Sequence, residues 1–243
     1  MRASAASTFV DYLASYPIGE KRMEGHIKQL INNCDYQFPT GRLAGLEALG
    51  SVTRLLPELQ MRDHARTIFM PMTLRLVNDA DAGCRAAAAD VVLSLCRRCD
   101  SETLSAFIGY VQKWMEAGGA GEANRARAGV RAALPEKSRA LVRTGAQVAG
   151  LLIKARPEAF KKAAVLNSVV QILRSTLSAL LGSSDPKGKL VTFEQAQGEG
   201  EGEGCSAGVE EWAVTYHCVC LLETLYMQLP TLVDNASTAP ATA

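Results

Sequence analysis

The first residues with types and spacing suited to chemistry form the acidic turn Asn78-Asp79-Ala80-Asp81, which is followed by Cys84-Arg85. A calcium loop is excluded because the segment lacks the number of oxygen ligands and the closing Glu that such a loop requires. Asp79 and Asp81 instead suit the start of a helix, where a side-chain oxygen caps free amides and a negative charge meets the helix dipole. Arg85 is predicted to reach back to a carboxylate of this turn or of an adjacent repeat. The sequence therefore predicts a structural turn built on Asp79, Asp81 and Arg85.

Two further clusters contain cysteine. Cys96 and Cys99 form a C-x-x-C motif, but no second pair stands at zinc spacing and the motif lies at a predicted helix end. In the run His217-Cys218-x-Cys220, helical geometry directs positions 218 and 220 to different faces. The chain has 7 cysteines, an odd number. Most of them stand at apolar helical positions, which is typical of buried thiols in a reducing compartment. We predict no metal, no redox site and no cofactor.

Several classes of protein are not supported by any motif. The 3 histidines are scattered, and none stands near a nucleophilic Ser or Cys in a recognisable turn. The chain has neither the phosphate-binding loop G-x-x-x-x-G-K-[ST] nor the nucleophile elbow G-x-S-x-G. No run of 18 apolar residues indicates a transmembrane helix, and Asp11 interrupts the apolar residues that a secretory signal would need. The protein is therefore predicted not to be an enzyme.

Basic residues are concentrated in the middle of the chain. The net charge is +1, but residues 118–190 carry 13 basic and 4 acidic side chains, whereas residues 191–243 carry 8 acidic and no basic ones. Gathered on one face, the basic residues would bind the phosphates of RNA or an acidic partner. Because no aromatic residues are interleaved for base stacking, a nucleic-acid contact would be made mainly to the backbone. The alternative is an ordinary solvated face that pairs with the acidic segment. The candidate patch comprises Arg125, Arg127, Arg131, Lys137, Arg139, Arg143, Lys154, Arg156, Lys161 and Lys162.

Amphipathic helices must position all of these residues. Ala and Leu dominate the composition, and long β-branched alternations are absent, so helix is favoured over sheet. Apolar residues recur at steps of three and four, with loose self-similarity at roughly 40 residues. Helix pairs of this kind bury their apolar faces only by stacking on neighbours. The predicted fold class is all-α, a HEAT/armadillo-type α-solenoid of about ten helices.

The predicted organisation has four parts: HEAT-like helical repeats over 1–181, an acidic Gly/Glu-rich disordered loop over 182–208, a final packing helix over 209–230 and a disordered tail over 231–243. Within the repeats, Thr40 is the predicted N-cap of a helix from Gly41. The next helix is predicted to begin near Asp63. The run Gly118-Gly119-Ala120-Gly121 is predicted to be a flexible break.

Two runs of the sequence resemble a known family. The first, Phe9 to Arg42, contains Tyr16-Pro17-Ile18-Gly19-Glu20-Lys21, then Tyr36 and Thr40-Gly41-Arg42. The second, Phe69 to Arg85, contains Phe69, Pro71, Asn78, Asp79, Cys84 and Arg85. Together they resemble a segment near the end of the giant HEAT-repeat subunit of the small-subunit processome, the U-three small nucleolar RNA-associated protein twenty family, which is also called down-regulated in metastasis.

The resemblance implies a non-enzymatic scaffold of ribosome biogenesis that is located in the nucleolus and supports maturation of the small-subunit ribosomal RNA. The implied partners are other pre-ribosomal proteins and, through backbone contacts, the ribosomal RNA precursor or small nucleolar RNA. No membrane and no small-molecule substrate is implied. Family members are many times longer than 243 residues, so this chain is expected to be a fragment or a partial gene model. A generic HEAT/armadillo adaptor for transport or signalling, without RNA contact, stays open as the alternative.

Overall fold

The computed structural model describes residues 2–127, 136–160, 167–174, 177 and 205–229. Within these ranges the chain forms helices joined by short connections. No β-strand occurs in these ranges, in agreement with the all-α prediction. Residues 167–174 are helical as well. The named helices are α1 (Arg2–Ser15), α2 (Glu20–Asn33), α3 (Pro39–Leu55), α4 (Glu58–Asn78), α5 (Ala82–Arg98), α6 (Ser101–Arg127), α7 (Glu136–Ala155), α8 (Pro157–Phe160) and α9 (Cys205–Gln228).

The chain divides into two compact units. Unit 1 comprises Met1–Gly109 and Leu151–Pro157, and unit 2 comprises Tyr110–Gly150 and Glu158–Ala243. Among the helices that the structure describes, none is both long enough and apolar enough to cross a bilayer.

The core of unit 1 is built from the apolar stripes of its helices. Contacts join α1 to α3, α2 to α3 and α4, and α5 to α3 and α4. In α2 the stripe is Met23, Ile27 and Leu30, whose steps of four and three place them on one face. The rings of Phe69 and Phe107 stack with their centroids 3.8 Å apart, and both side chains are fully buried. Packing of these stripes against one another therefore supplies the hydrophobic stabilisation of unit 1.

Two predicted helix starts are wrong by a few residues. Helix α3 begins at Pro39, with Phe38 at the N-cap, so Thr40 lies inside the helix and is not its cap. Proline suits the first helical position, because its fixed φ is helical and its missing amide would have no partner there. Helix α4 begins at Glu58, well before Asp63, and Pro57 is its N-cap residue. The negative charge of Glu58 in the first turn favours this earlier start.

Two segments predicted to lack regular structure are helical in part. Helix α6 runs unbroken from Ser101 to Arg127, so the predicted flexible break at residues 118–121 is wrong. Each glycine costs about 1 kcal/mol in a helix interior, which neighbouring helix formers and continued hydrogen bonding offset. Helix α9 begins at Cys205, so the last four residues of the predicted loop are helical. Most of that loop (182–204) and the predicted tail (231–243) lie outside the described residues.

Candidate functional site: the Asp79 turn and the basic residues

Two carboxylates organise the turn between α4 and α5. Asp81 is the N-cap of α5, and its Oδ1 accepts a hydrogen bond from the Cys84 amide at 2.8 Å. The Oδ1 of Asp79 accepts a hydrogen bond from the Asp81 amide at 2.9 Å. The bond from Cys84 is the largest cause that holds the pKa of the Asp81 carboxyl below its ordinary value. Both side chains thus satisfy amides that a helix start leaves without intrahelical partners.

The guanidinium partner of Asp79 is Arg42 of α3. Its Nε donates to Oδ2 at 2.9 Å and its Nη2 donates to Oδ1 at 2.8 Å, which is the bidentate geometry that a guanidinium and a carboxylate favour. The Asp79 side chain is completely buried, and the Arg42 side chain is 11% exposed. Burial alone would raise the pKa of the Asp79 carboxyl, but the hydrogen bonds from Arg42 and from the Asp81 amide outweigh burial and lower it. This pair ties α3 to the turn between α4 and α5.

Arg85 has different hydrogen-bond partners from those predicted. Its Nη1 donates to the backbone carbonyls of Asp79 and Ala80, at 2.8 and 3.0 Å, and not to a turn carboxylate. The prediction of a carboxylate partner for Arg85 is wrong, because Arg42 already occupies the Asp79 carboxylate and Arg75 approaches its Oδ2 at 3.4 Å. Arg85 instead satisfies carbonyl oxygens of the turn.

Residues from both family-like runs meet at this turn. Besides Asp79, Arg42 binds the carbonyls of Tyr36 and Gln37, to which its Nη1 donates at 3.2 and 3.0 Å. The Tyr36 ring lies so close to Gly41 that a Cβ at Gly41 would overlap the ring. The Thr-Gly-Arg motif therefore combines a glycine that permits close approach with an arginine that links three chain segments. Sequence reasoning missed the Arg42–Asp79 pair, and its one signal was that both residues stood in family-like motifs.

Half of the ten basic residues predicted to form a patch cannot be placed as side chains. Arg131, Lys161 and Lys162 lie outside the described residues. Arg125 and Arg127 lie in α6, but their side chains are not described.

Three of the basic residues lie on α7 within unit 2. Lys137 is exposed and Arg143 is half-buried. Arg139 is only 9% exposed, so its prediction as part of a surface patch is wrong. The physical reason is its register, because steps of three and four residues place Arg139 on the same face as the buried Val142 and Ala146. Unit 2 therefore offers fewer exposed cations on α7 than predicted.

The remaining two basic residues belong to unit 1. Lys154 is exposed. The Nη1 of Arg156 lies 3.4 and 3.5 Å from the carbonyl oxygens of Arg97 and Cys99, where α5 ends. A cation suits this position because the last carbonyls of a helix lack intrahelical partners. Arg156 thus contributes to packing at the end of α5, and its guanidinium is less available to bind a partner molecule.

The described cysteines are packing groups. The six whose side chains the structure describes are free thiols, and five of them are buried. Burial raises the pKa of the Cys34 thiol to about 12, and it raises the pKa of Cys99 and of Cys218 to about 11. Because the thiolate is the form that attacks electrophiles and binds metals, thiols with raised pKa values in apolar surroundings are unreactive.

His217 is part of the packing between α7 and α9. Its Nε2 lies 2.8 Å from the Nε2 of Gln147. Burial lowers the pKa of His217, and the nearby positive charge of Arg143 lowers it further. In the described ranges, no group of three His, Cys, Asp or Glu side chains is placed to hold a metal ion.

No family model matches this chain. The chain is similar to U3 small nucleolar RNA-associated protein 20 of Schizosaccharomyces pombe. The two sequences are 23% identical over 121 residues, which is 50% of this chain and 5% of the yeast protein. The resemblance predicted from the two motif-bearing runs is confirmed. The matched half of this chain therefore corresponds to a small part of a much longer protein.

Proposed function

We propose that this chain forms part of a HEAT-type α-solenoid that acts as a non-enzymatic scaffold in ribosome biogenesis, within small-subunit precursor particles of the nucleolus. The observation that carries the proposal is the similarity to U3 small nucleolar RNA-associated protein 20. The name of that relative links it to a small nucleolar RNA, and extension of that association to this chain is part of the proposal.

The packing of unit 1 supports the solenoid part of the proposal. Its helices contact the next helix and the next but one, as in the pairs α2–α3, α4–α5, α1–α3, α2–α4 and α3–α5. Contacts of this kind, between near neighbours in sequence, are typical of stacked helix pairs. The Arg42–Asp79 bond fits this arrangement because it joins helices of successive pairs across a buried turn.

The proposed partners are pre-ribosomal proteins and, through phosphate contacts, the ribosomal RNA precursor or small nucleolar RNA. Among the described members of the basic set, Lys137 and Lys154 are the exposed cations. A protein-binding adaptor without RNA contact is the second candidate. The observation that favours the adaptor is the engagement of Arg139 and Arg156 within the protein, which reduces the charge that faces solvent.

Affinity purification of the tagged full chain at near-physiological salt tests both candidates. The scaffold proposal expects small-subunit precursor RNA and pre-ribosomal proteins to be recovered together. The double variant Lys137→Glu/Lys154→Glu should reduce RNA recovery, whereas Lys21→Glu, which reverses the charge of another exposed lysine, should not. If phosphate contacts supply most of the RNA affinity, RNA recovery should also fall steeply as the salt concentration rises. Protein recovery without RNA, unchanged by salt and by both substitutions, would favour the adaptor. Recovery of neither pre-ribosomal proteins nor RNA would contradict the scaffold proposal.

A further inference from the structure

Two exposed leucines, the leucine pair, lie at the connection between α3 and α4. Leu55 is the last residue of α3 and Leu59 is in the first turn of α4, and their side chains are 54% and 64% exposed. Leu56 between them is only 1% exposed, so it already anchors this connection in the core. Four steps along the chain limit the distance between the Leu55 and Leu59 Cα atoms to about 14 Å. The leucine pair therefore forms one small apolar patch at this end of unit 1.

The basic end of α5 packs on the same connection. The Nη1 of Arg98 donates to the Thr53 carbonyl at 2.7 Å, and its Nη2 donates to the Leu56 carbonyl at 2.6 Å. Carbonyls at the C-terminus of a helix such as α3 lack intrahelical partners. Because these bonds hold the end of α5 against the end of α3, the exposed side chains of Arg54 and Arg97 belong to the same end of unit 1 as the leucine pair.

Three helix ends in unit 1 are basic. The last turns of α3, α5 and α7 contain no Asp or Glu, and their basic residues are Arg54, Arg97, Arg98 and Lys154. The end of α7 lies against the end of α5, since the Nη1 of Arg156 is 3.4 Å from the Arg97 carbonyl oxygen. A cation in the last turn of a helix complements the helix dipole. An exposed cation can do so and still bind a partner, and Arg54, Arg97 and Lys154 are exposed.

Helix α4 adds two arginines on the side of Leu59. Arg62 and Arg66 follow Leu59 by three and seven residues, which places all three on one side of the helix. The side chains of Arg62 and Arg66 are 52% and 57% exposed, and they pair with Asp63 at 3.5 Å and Glu102 at 3.8 Å. Exposed ion pairs contribute little to stability, so an acidic side chain of a partner protein can replace either carboxylate at little cost.

Other carboxylates nearby are engaged at helix starts. Glu58 lies in the first turn of α4, where its charge meets the positive end of the helix dipole. The Oδ1 of Asp100 accepts a hydrogen bond from the Thr103 amide at 2.7 Å. This bond is the largest cause that holds the pKa of the Asp100 carboxyl below its ordinary value, and the charges of Arg62 and Arg66 lower it further. At these helix ends the exposed cations therefore outnumber the exposed carboxylates.

An apolar patch with arginines around it indicates a protein partner. Protein interfaces combine an apolar centre with a polar rim, and arginine is enriched in them. The phosphates of RNA would bind the arginines, but leucine side chains cannot stack on bases as aromatic ones do. A protein segment that carries both apolar and acidic side chains matches both features of this surface.

We propose that the connection between α3 and α4, together with the adjoining ends of α5 and α7, is the docking surface for an acidic amphipathic segment of a partner protein. Apolar side chains of that segment pack on the leucine pair, and its Asp and Glu side chains bind Arg54, Arg62 and Arg97. This inference does not depend on the role in ribosome biogenesis, because it rests on the exposure and charge of one surface of unit 1.

Two synthetic peptides of about 15 residues test the proposal with the full chain. Both carry Leu at steps of three and four, and one has Glu beside these leucines where the other has Lys. Fluorescence anisotropy of the labelled peptides should show the Glu peptide binding at least about tenfold more tightly than the Lys peptide, with a smaller difference at high salt. The double variants Leu55→Ser/Leu59→Ser and Arg54→Glu/Arg97→Glu should each weaken binding of the Glu peptide at least about tenfold.

Two control variants are matched to these changes. Leu74→Ser removes another apolar side chain of unit 1, which is 56% exposed on α4. Lys113→Glu/Lys137→Glu reverses the charge of two exposed lysines of unit 2. Both controls should leave binding of the Glu peptide unchanged, and circular dichroism should show native helix content in all variants.

Four results would overturn the proposal. The first is equal binding of the two peptides or absence of binding by the Glu peptide, and the second is either double variant without effect. The third is binding of poly(U) RNA that Arg54→Glu/Arg97→Glu abolishes, at concentrations where the Glu peptide does not bind. The fourth is a concentration-dependent dimer in sedimentation velocity that Leu55→Ser/Leu59→Ser abolishes, since the occupant would then be a second copy of this chain.

Discussion

Replacement of Asp79 by alanine probes the buried pair at the centre of the α4–α5 turn. The change removes two hydrogen bonds from Arg42 and one from the Asp81 amide, at 2.9, 2.8 and 2.9 Å. It leaves an Arg42 side chain that is 11% exposed, and the guanidinium keeps the carbonyls of Tyr36 and Gln37 as acceptors. Loss of one partner of a buried ion pair costs about 3–5 kcal/mol. Because the two carbonyls remain, we expect Asp79→Ala to lower the free energy of unfolding by about 3 kcal/mol, the lower end of that range.

Urea denaturation of the full chain at pH 7, followed by far-UV circular dichroism, measures this loss. Hydrogen exchange of the Asp81 and Cys84 amides should become faster. The Asp81 amide loses the Asp79 carboxylate as its acceptor, and the Asp81 cap that binds the Cys84 amide is no longer held in place by that bond. The matched control is Asp63→Ala, since the ion pair of Asp63 with Arg62 is exposed at the surface. That control should change the free energy of unfolding by at most about 0.5 kcal/mol.

A double-mutant cycle separates the pair from the general effect of truncation. Arg42→Ala should also destabilise the protein, because it leaves the buried Asp79 carboxylate without its bidentate donor. The double variant should lose less stability than the sum of the two single variants, since the second change removes the group that the first one isolated. A loss below about 1 kcal/mol for Asp79→Ala, or strict additivity, would refute the inference that this pair holds α3 to the turn.

Three further predictions follow from the same geometry. Gly41→Ala should lower the free energy of unfolding by about 1 kcal/mol because the new Cβ displaces the Tyr36 ring. In a Tyr36→Ala background the same change should be neutral or stabilising, because alanine favours helix. Urea denaturation of the unchanged chain, the two single variants and the double variant measures both effects. Iodoacetamide at pH 8 should label Cys34 and Cys218 slowly in the native chain and rapidly in urea, since burial raises both pKa values; equal rates by mass spectrometry would contradict the assignment of these thiols as buried. Because the folded-state pKa of Asp79 is lowered, its contribution to stability should be complete above the unfolded pKa of about 3.9 and should be lost as pH falls through the folded pKa. The urea midpoint of Asp79→Asn should therefore fall less on acidification than that of the unchanged chain.

Local signals predict two helices to the residue. From caps and apolar periodicity alone the sequence predicts helices over Ala82–Arg98 and Glu136–Ala155, and these are the bounds of α5 and α7. In α5 the cause is local, since the Asp81 cap acts on an amide three residues away. Where the same kind of signal failed, as at Thr40 and at the glycines of α6, a neighbouring proline or continued helical hydrogen bonding outweighed the local preference.

The candidate site was predicted less completely than the helices. The sequence indicated that Asp79 and Asp81 belong to a structural turn, and it assigned Arg85 to their carboxylates. In the structure the donor to Asp79 is Arg42, which lies 37 residues away along the chain. Spacing in sequence does not determine which of several arginines reaches a buried carboxylate. That choice depends on which helix packs beside the turn.

The sequence by itself determined that the chain is helical, where its best-capped helices begin and end, and which known protein it is similar to. Tertiary structure decided that Arg42 is the partner of Asp79, that Arg139 is buried and that the basic end of α5 lies beside the exposed Leu55. The physical reason is one of range. Caps, proline and apolar periodicity act within a few residues of the chain. Burial and ion pairing depend on contacts between helices that are distant in sequence, and only the packed structure brings those helices together.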